Sequence, residues 1–199
     1  FILSSALSKI LKRVSFYRTK GSERDIIQVY ANGGIAFLLS VVYFLSNDPV
    51  YIYLFSSCVA AAMSDTWGTE FGKLSRHKPI SITSFKSIDH GISGGITRIG
   101  TLGSLLGSSI IGFSTWMMIP VPTHIIYGII LSGFLSSLFD SILGDMLQGK
   151  YKNQNGEIIE VKERDSVLIK GYPWMNNDLV NLLNTTFSAF ILYTFIMLC

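Results

Sequence analysis

The chain has 199 residues, of which 49% are hydrophobic and 15% charged, against roughly one quarter charged in a soluble domain. Sixteen basic and thirteen acidic residues leave a net charge of +3, too weak and too scattered for a nucleic-acid-binding domain, and two cysteines, Cys58 and Cys199, cannot make a disulfide framework. A mean hydropathy of +0.44 points to a membrane and nearly excludes a soluble enzyme.

In chain order, Phe1–Leu7 reads as the end of an earlier span and lacks the basic start and small-residue cleavage site of a signal peptide. Residues 9–30 form a charged connection with Lys9, Lys12, Arg13, Arg18, Lys20 and Arg24 against Glu23 and Asp25. No formal charge occurs between Asp25 and Asp48, between Arg98 and Asp140, or after Asp178. Because a helix needs roughly 20 apolar residues to cross the hydrocarbon, spans are expected near 31–46, 50–72, 99–119, 123–147 and 179–199. Residues 47–49 and 120–122 are short hairpins between them. The expected fold is all-α, a polytopic transmembrane bundle of about five to six spans forming one integral membrane domain over 1–199. Residues 148–177 form a loop in which Asn155-Gly156 marks a small solvated hairpin. Alternate crossing puts the three charged loops on one side. Their basic excess assigns that side to the cytoplasm, and the expected location is a bacterial inner membrane.

Carboxylates near membrane depth carry the functional signal. Asp65 and Glu70 close the second span, Asp140 and Asp145 the fourth, and Asp178 opens the last, beside Asn177 and Asn181. With Asn32 at the start of the first span, four helices aim polar groups at one cytoplasmic layer. An ionisable group inside a bilayer costs at least about 2.5 kcal/mol, so each is a functional candidate. Acids gathered without matching bases call for a cation, and hard oxygen ligands favour magnesium or calcium. Five residues along an ideal helix turn through roughly 500°, so neither Asp65/Glu70 nor Asp140/Asp145 can chelate one ion from an unbroken helix. The ligands must come from different helices, or the helix must break near Gly68 or Gly144.

The second loop supplies the complementary chemistry in Ser84-Phe-Lys86 and Gly91-Ile-Ser-Gly-Gly-Ile-Thr97-Arg98. Glycines interleaved with Ser93 and Thr97 let backbone N–H groups approach an anion, and the following helix N-terminus favours phosphate. Lys86 and Arg98 add charge-assisted bonds. Gly103 and Gly107 read as small residues for helix packing, and Trp116 and Trp174 as an interfacial aromatic belt.

With these residues assembled, the chain resembles the transmembrane protein 19 family, which includes a phytyl phosphate kinase. The resemblance rests on Gln28-Val-Tyr-Ala-Asn-Gly-Gly34, Asp65-Thr-Trp-Gly-Thr-Glu-Phe-Gly72, Gly91–Thr97 with Gly100-Thr101, Asp140-Ser-Ile-Leu-Gly-Asp-Met-Leu-Gln148 and Asn177-Asp-Leu-Val-Asn181. A looser similarity reaches polyprenol kinases and phosphatidate cytidylyltransferases through Asp65, Lys73–Lys78, Ser84-Phe-Lys86 and Gly91–Gly95.

The resemblance implies a CTP-like nucleoside triphosphate, an isoprenoid phosphate acceptor and Mg2+. The expected reaction takes an isoprenoid monophosphate such as phytyl phosphate to its diphosphate. Asp65, Glu70, Asp140, Asp145 and Asp178 would hold metal. Asn32, Lys86, Gly91, Ser93, Gly94, Gly95, Thr97, Arg98, Asn177 and Asn181 would handle nucleotide and phosphates, with Asp65, Lys86 and Asp140 the catalytic group. The alternatives are cytidylyl transfer to a lipid phosphate and a cation or phosphate transporter.

Overall fold

A computed structural model describes residues 26–199. Five helices of 21–24 residues dominate it: α1 Ile26–Ser46, α2 Pro49–Gly72, α3 Arg98–Met118, α4 Thr123–Met146 and α5 Asn177–Leu198. They match the five expected spans to within a few residues. The exception is α1, already helical at Ile26, where Ile26, Ile27, Val29 and Tyr30 extend the uncharged apolar run; within it Asn32 donates from Nδ2 to the Gln28 carbonyl at 3.0 Å. The sixth span expected at Phe1–Leu7, and the basic residues of 9–25, lie outside the described residues.

Three helices, α1, α4 and α5, are long and apolar enough to cross a membrane by themselves. The other two carry more polar residues, of which Ser57, Ser64, Ser104 and Ser108 are buried by packing. Helix α2 is central and touches all four others. Its closest neighbour is α3, which approaches through small residues. A Cβ at Gly100 would meet the Gly68 carbonyl at 2.9 Å, and one at Gly107 the Met63 carbonyl at 2.8 Å. Such close approach is how helices associate in lipid, where burying apolar surface gives no net drive. The hydroxyl of Ser64 adds an interhelical bond to the Ser104 carbonyl at 2.9 Å. A Cβ at Gly103 would likewise meet the Trp67 carbonyl at 2.8 Å, so the packing role expected of Gly103 and Gly107 is seen directly.

Two tight connections, each capped differently, join helices at one end of the bundle. Asp48 caps α2 by accepting from the Val50 amide at 2.9 Å, and Pro122 leads directly into α4. Both long connections emerge at the opposite end, here called the loop end. The 73–97 connection pairs β1 (Ile80–Ser81) antiparallel with β2 (Gly95–Ile96). The 147–176 connection folds into a three-stranded antiparallel sheet of β3 (Lys150–Lys152), β4 (Ile158–Ile159) and β5 (Val167–Lys170), ordered β4-β3-β5. Its β3–β4 half is the expected Asn155-Gly156 hairpin, with Gly156 at φ +83°. Strand β5 is additional. Every one of its four residues is exposed, so no buried alternation marks it in the sequence.

Candidate active site

Three interhelical contacts fix the register of the bundle core. Cys58 on α2 donates its thiol to the Thr185 carbonyl on α5 at 3.3 Å. Gly133 on α4 lies against Ala60, where a Cβ would come within 2.9 Å of the Ala60 carbonyl carbon. The Ser136 hydroxyl donates to the Asn184 carbonyl and to its Oδ1. Seven residues is almost two helical turns, about 10 Å along the axis and back to nearly the same face. Counted toward the loop end, seven residues lead from Cys58 to Asp65, from Gly133 to Asp140 and from Thr185 to Asp178. The three carboxylates thus occupy one layer and one interior face. Asp65 is close enough to act electrostatically on Asp140. Among the described residues, Asp140 also has a buried oxygen, Oδ2, with no hydrogen-bond donor, and the buried Trp67 Nε1 and Asn184 Nδ2 have no acceptor.

Both α2 and α4 run unbroken through Gly68 and Gly144, so any shared ligand site is assembled from separate helices. The remaining acids have other partners. Glu70 pairs with Lys73 at 2.8 Å on the same helix. Asp145, 2% exposed, is the centre of a polar network. It accepts from the Ser81 hydroxyl, from Thr83 Oγ1 at 2.6 Å and from Lys170 Nζ at 2.7 Å, with Lys150 Nζ 3.6 Å away. This network ties the 73–97 connection, the end of α4 and the sheet into one cap over the carboxylate layer.

The glycine-rich loop lies directly on that cap. Gly94 has φ +89°, and a Cβ there would stand 2.6 Å from Asp145 Cα and 2.7 Å from its amide nitrogen. Only glycine fits both conditions. The Ile82 amide donates to the Gly94 carbonyl at 3.0 Å, and Lys150 Nζ donates to the Ser93 carbonyl at 2.8 Å. The amide and hydroxyl of Ser93 both donate to a carboxylate, Glu160, at 2.6 and 2.7 Å. Thr97 has a different task, since it caps α3 by accepting from the Gly100 amide at 3.0 Å. Lys86 and Arg98 are exposed at the rim. Asn177 opens α5 exposed, while Asn181 is buried one turn further on. Asn32 is half-buried on α1, bonded within its own helix.

The structure therefore brings together Asp65, Asp140 and Asp178 in one layer, and Ser93, Gly94 and Asp145 in the cap above it. The sequence motifs do not include Ser81, Thr83, Lys150, Glu160 and Lys170, because each reaches the site from a connection whose folding is not periodic, while Gln148 ends the Asp140–Gln148 motif without any role being legible for it. Burial, as the largest cause, holds the Lys150 amine below the ordinary lysine range, and the nearby Asp145 charge opposes it.

The model of the integral membrane protein family DUF92 matches residues 1–189. The chain belongs to this family. Similar proteins include an uncharacterized membrane protein of Methanocaldococcus jannaschii, 32% identical over 75% of this chain and 63% of the relative. Protein PGR of Arabidopsis thaliana is 25% identical over 96% of this chain and 77% of its own length. The chloroplastic protein VTE6 of Arabidopsis thaliana is 25% identical over 83% of this chain and 41% of its own length. The chain thus spans under two thirds of the length of two of these three relatives, 63% of one and 41% of the other. No solved structure matches it. Membership, with five long helices and three apolar enough to cross, makes this an integral membrane protein of the transmembrane protein 19/DUF92 group, as the sequence motifs imply.

Proposed function

We propose that the protein is a nucleotide-dependent phosphotransferase, taking CTP or another nucleoside triphosphate and converting an isoprenoid monophosphate such as phytyl phosphate to its diphosphate. The observation that carries this reading is the neighbouring pair Asp65 and Asp140, with a buried Asp140 oxygen that no donor among the described residues satisfies. A buried acceptor left unsatisfied is costly, and a cation between two neighbouring carboxylates offsets their mutual repulsion. Among the described residues no three His, Cys, Asp or Glu side chains converge on one point. That fits magnesium, which is commonly held by one or two carboxylates with substrate phosphates completing the shell.

Asp65 and Asp140 would hold Mg2+, with Asp178 in the same layer as an orienting group. Bound there, the metal supplies neutralisation of charge building on the transferred phosphoryl group. The chain's own residues do the positioning. Lys86 and Arg98, exposed at the rim, meet nucleotide phosphates, and the Gly91–Thr97 loop offers backbone donors to them. The acceptor's phosphate oxygen is already anionic and attacks the γ-phosphorus. The bond from that phosphorus to the bridging oxygen breaks, the nucleoside diphosphate leaves, and no general base is needed. The isoprenoid tail lies among the apolar helices, and the loop end faces the cytoplasm.

The test uses purified protein in detergent with Mg2+, phytyl or geranylgeranyl monophosphate, and each nucleotide separately, with products resolved by mass. A nucleoside diphosphate and an isoprenoid diphosphate are expected, with turnover reduced at least 100-fold in Asp65→Ala and Asp140→Ala of unchanged melting temperature. Pyrophosphate with a nucleotide-linked lipid would replace this reading with cytidylyl transfer. No product with any acceptor, from folded protein, would refute it.

A further inference from the structure

We infer that Glu160 is a built-in occupant of an oxyanion site on the glycine-rich loop, and that a phosphate-bearing ligand enters by displacing it. This rests on the reading of that loop as the phosphate-handling element, and it adds how the element is regulated.

Three donors converge on the Glu160 carboxylate. The Ser93 amide reaches Oε1 at 2.6 Å, while the Ser93 hydroxyl and Gln148 Nε2 reach Oε2 at 2.7 and 3.0 Å. Gln148 is itself only 2% exposed, so its amide is a built part of the site rather than a surface contact. A backbone N–H, a hydroxyl and an amide placed around two oxygens also suit a phosphate, which takes the same donors. Behind them stands Lys150, 5% exposed, whose amine holds the Ser93 carbonyl and whose charge acts on Glu160.

The occupant is poorly matched to its surroundings in one respect. Glu160 lies within electrostatic range of Asp140, as does Asp65, so its docked carboxylate adds a like charge to an already acidic layer. A phosphate arriving with a divalent cation relieves that repulsion, whereas Glu160 alone does not. The segment that carries Glu160 is also lightly held. Strand β4 is a two-residue edge strand paired only to β3, through Tyr151↔Ile159 and Lys152↔Ile158, and Val161 beside it is 78% exposed. Lifting Glu160 away disturbs two ladder positions and leaves the helices untouched. The docked carboxylate keeps the donors satisfied when no ligand is present, and makes entry competitive with the chain's own side chain.

The experiment measures amide hydrogen exchange of residues 157–162 in wild-type protein in detergent. One arm adds Mg-CTP and another adds geranylgeranyl monophosphate, so the two possible phosphate sources are read separately. Exchange is expected to rise about tenfold with the source that fills the site. In Glu160→Gln that exchange should already be high without ligand, and the half-saturating concentration of the same ligand should fall about tenfold. Exchange that is unchanged or slower at saturation would overturn the inference, as would Glu160→Gln binding equal to or weaker than wild type, or binding of neither ligand. The wild-type arm stands if the variant fails to fold. Product formation is scored separately. Turnover with unmoved exchange defeats only the displacement, and displacement without turnover defeats only the phosphotransferase reading.

Discussion

Replacing Gly94 with alanine tests whether the glycine-rich loop is moulded onto the end of α4. Two costs arise independently. The backbone there has φ +89°, and an L side chain in left-handed backbone costs about 1–2 kcal/mol. The new methyl would also stand 2.6 Å from Asp145 Cα and 2.7 Å from its nitrogen. Both are backbone atoms of a packed helix, so no flexible side chain can yield. Ordinary carbon contacts lie at about 3.5–4.0 Å, so the loop must lift by about 1 Å. Overpacking of this kind costs about 1–3 kcal/mol, which brings the total to about 2–5 kcal/mol. The lift would also separate Ser93 from Glu160 and the Gly94 carbonyl from the Ile82 amide. The control is Gly33→Ala, where a Cβ meets nothing within 4 Å and helix propensity favours alanine by about 0.5–1 kcal/mol. Thermal unfolding in detergent, with amide exchange over residues 80–97, measures both variants. Gly94→Ala melting with the wild type and leaving that exchange unchanged would refute the packing argument.

Other expectations follow from the cap. Asp145→Asn leaves the Lys150 and Lys170 amines without their carboxylate; breaking a buried pair costs about 3–5 kcal/mol, reduced to about 2–4 kcal/mol here because Lys170 is half-exposed and hydrated. Melting temperature and the protection of residues 150–170 should both fall, and an unaltered sheet would contradict the network. His90 is held below the usual histidine range, first by its burial and then by the Lys78 charge. The unfolded loop therefore binds more protons than the folded one between the lowered value and about 6.5, so stability rises with pH through that window. Protection of residues 88–92, corrected for intrinsic rates, should be full above about pH 6.5 and fall as pH drops through the lowered value. His90→Gln should show no such step.

The bilayer makes much of this protein legible from sequence. A span must be about 20 residues of apolar chain, a requirement on local composition alone, so the five helices, the two tight hairpins and the clustering of long connections at one end follow directly. The layer of Asp65, Asp140 and Asp178 was also legible in part, since buried acids interrupt otherwise apolar runs. Their common face required the register set by Cys58–Thr185, Gly133–Ala60 and Ser136–Asn184. The division of labour among the acids was not legible. Asp145 meets Ser81 and Thr83 across 64 and 62 residues of chain, and Ser93 meets Glu160 across 67. No periodicity links such positions, because they depend on how two water-facing connections fold back over the bundle end. Glu70 and Asp145 look alike in sequence to Asp65 and Asp140, yet lysines pair with the first two, while Asp65 lies within electrostatic range of Asp140 on another helix. The sequence by itself determined where the chain meets lipid, because hydrophobic transfer is read residue by residue. Only the tertiary structure decided which charges neutralise which, because electrostatic pairing depends on distance in space and not on distance along the chain.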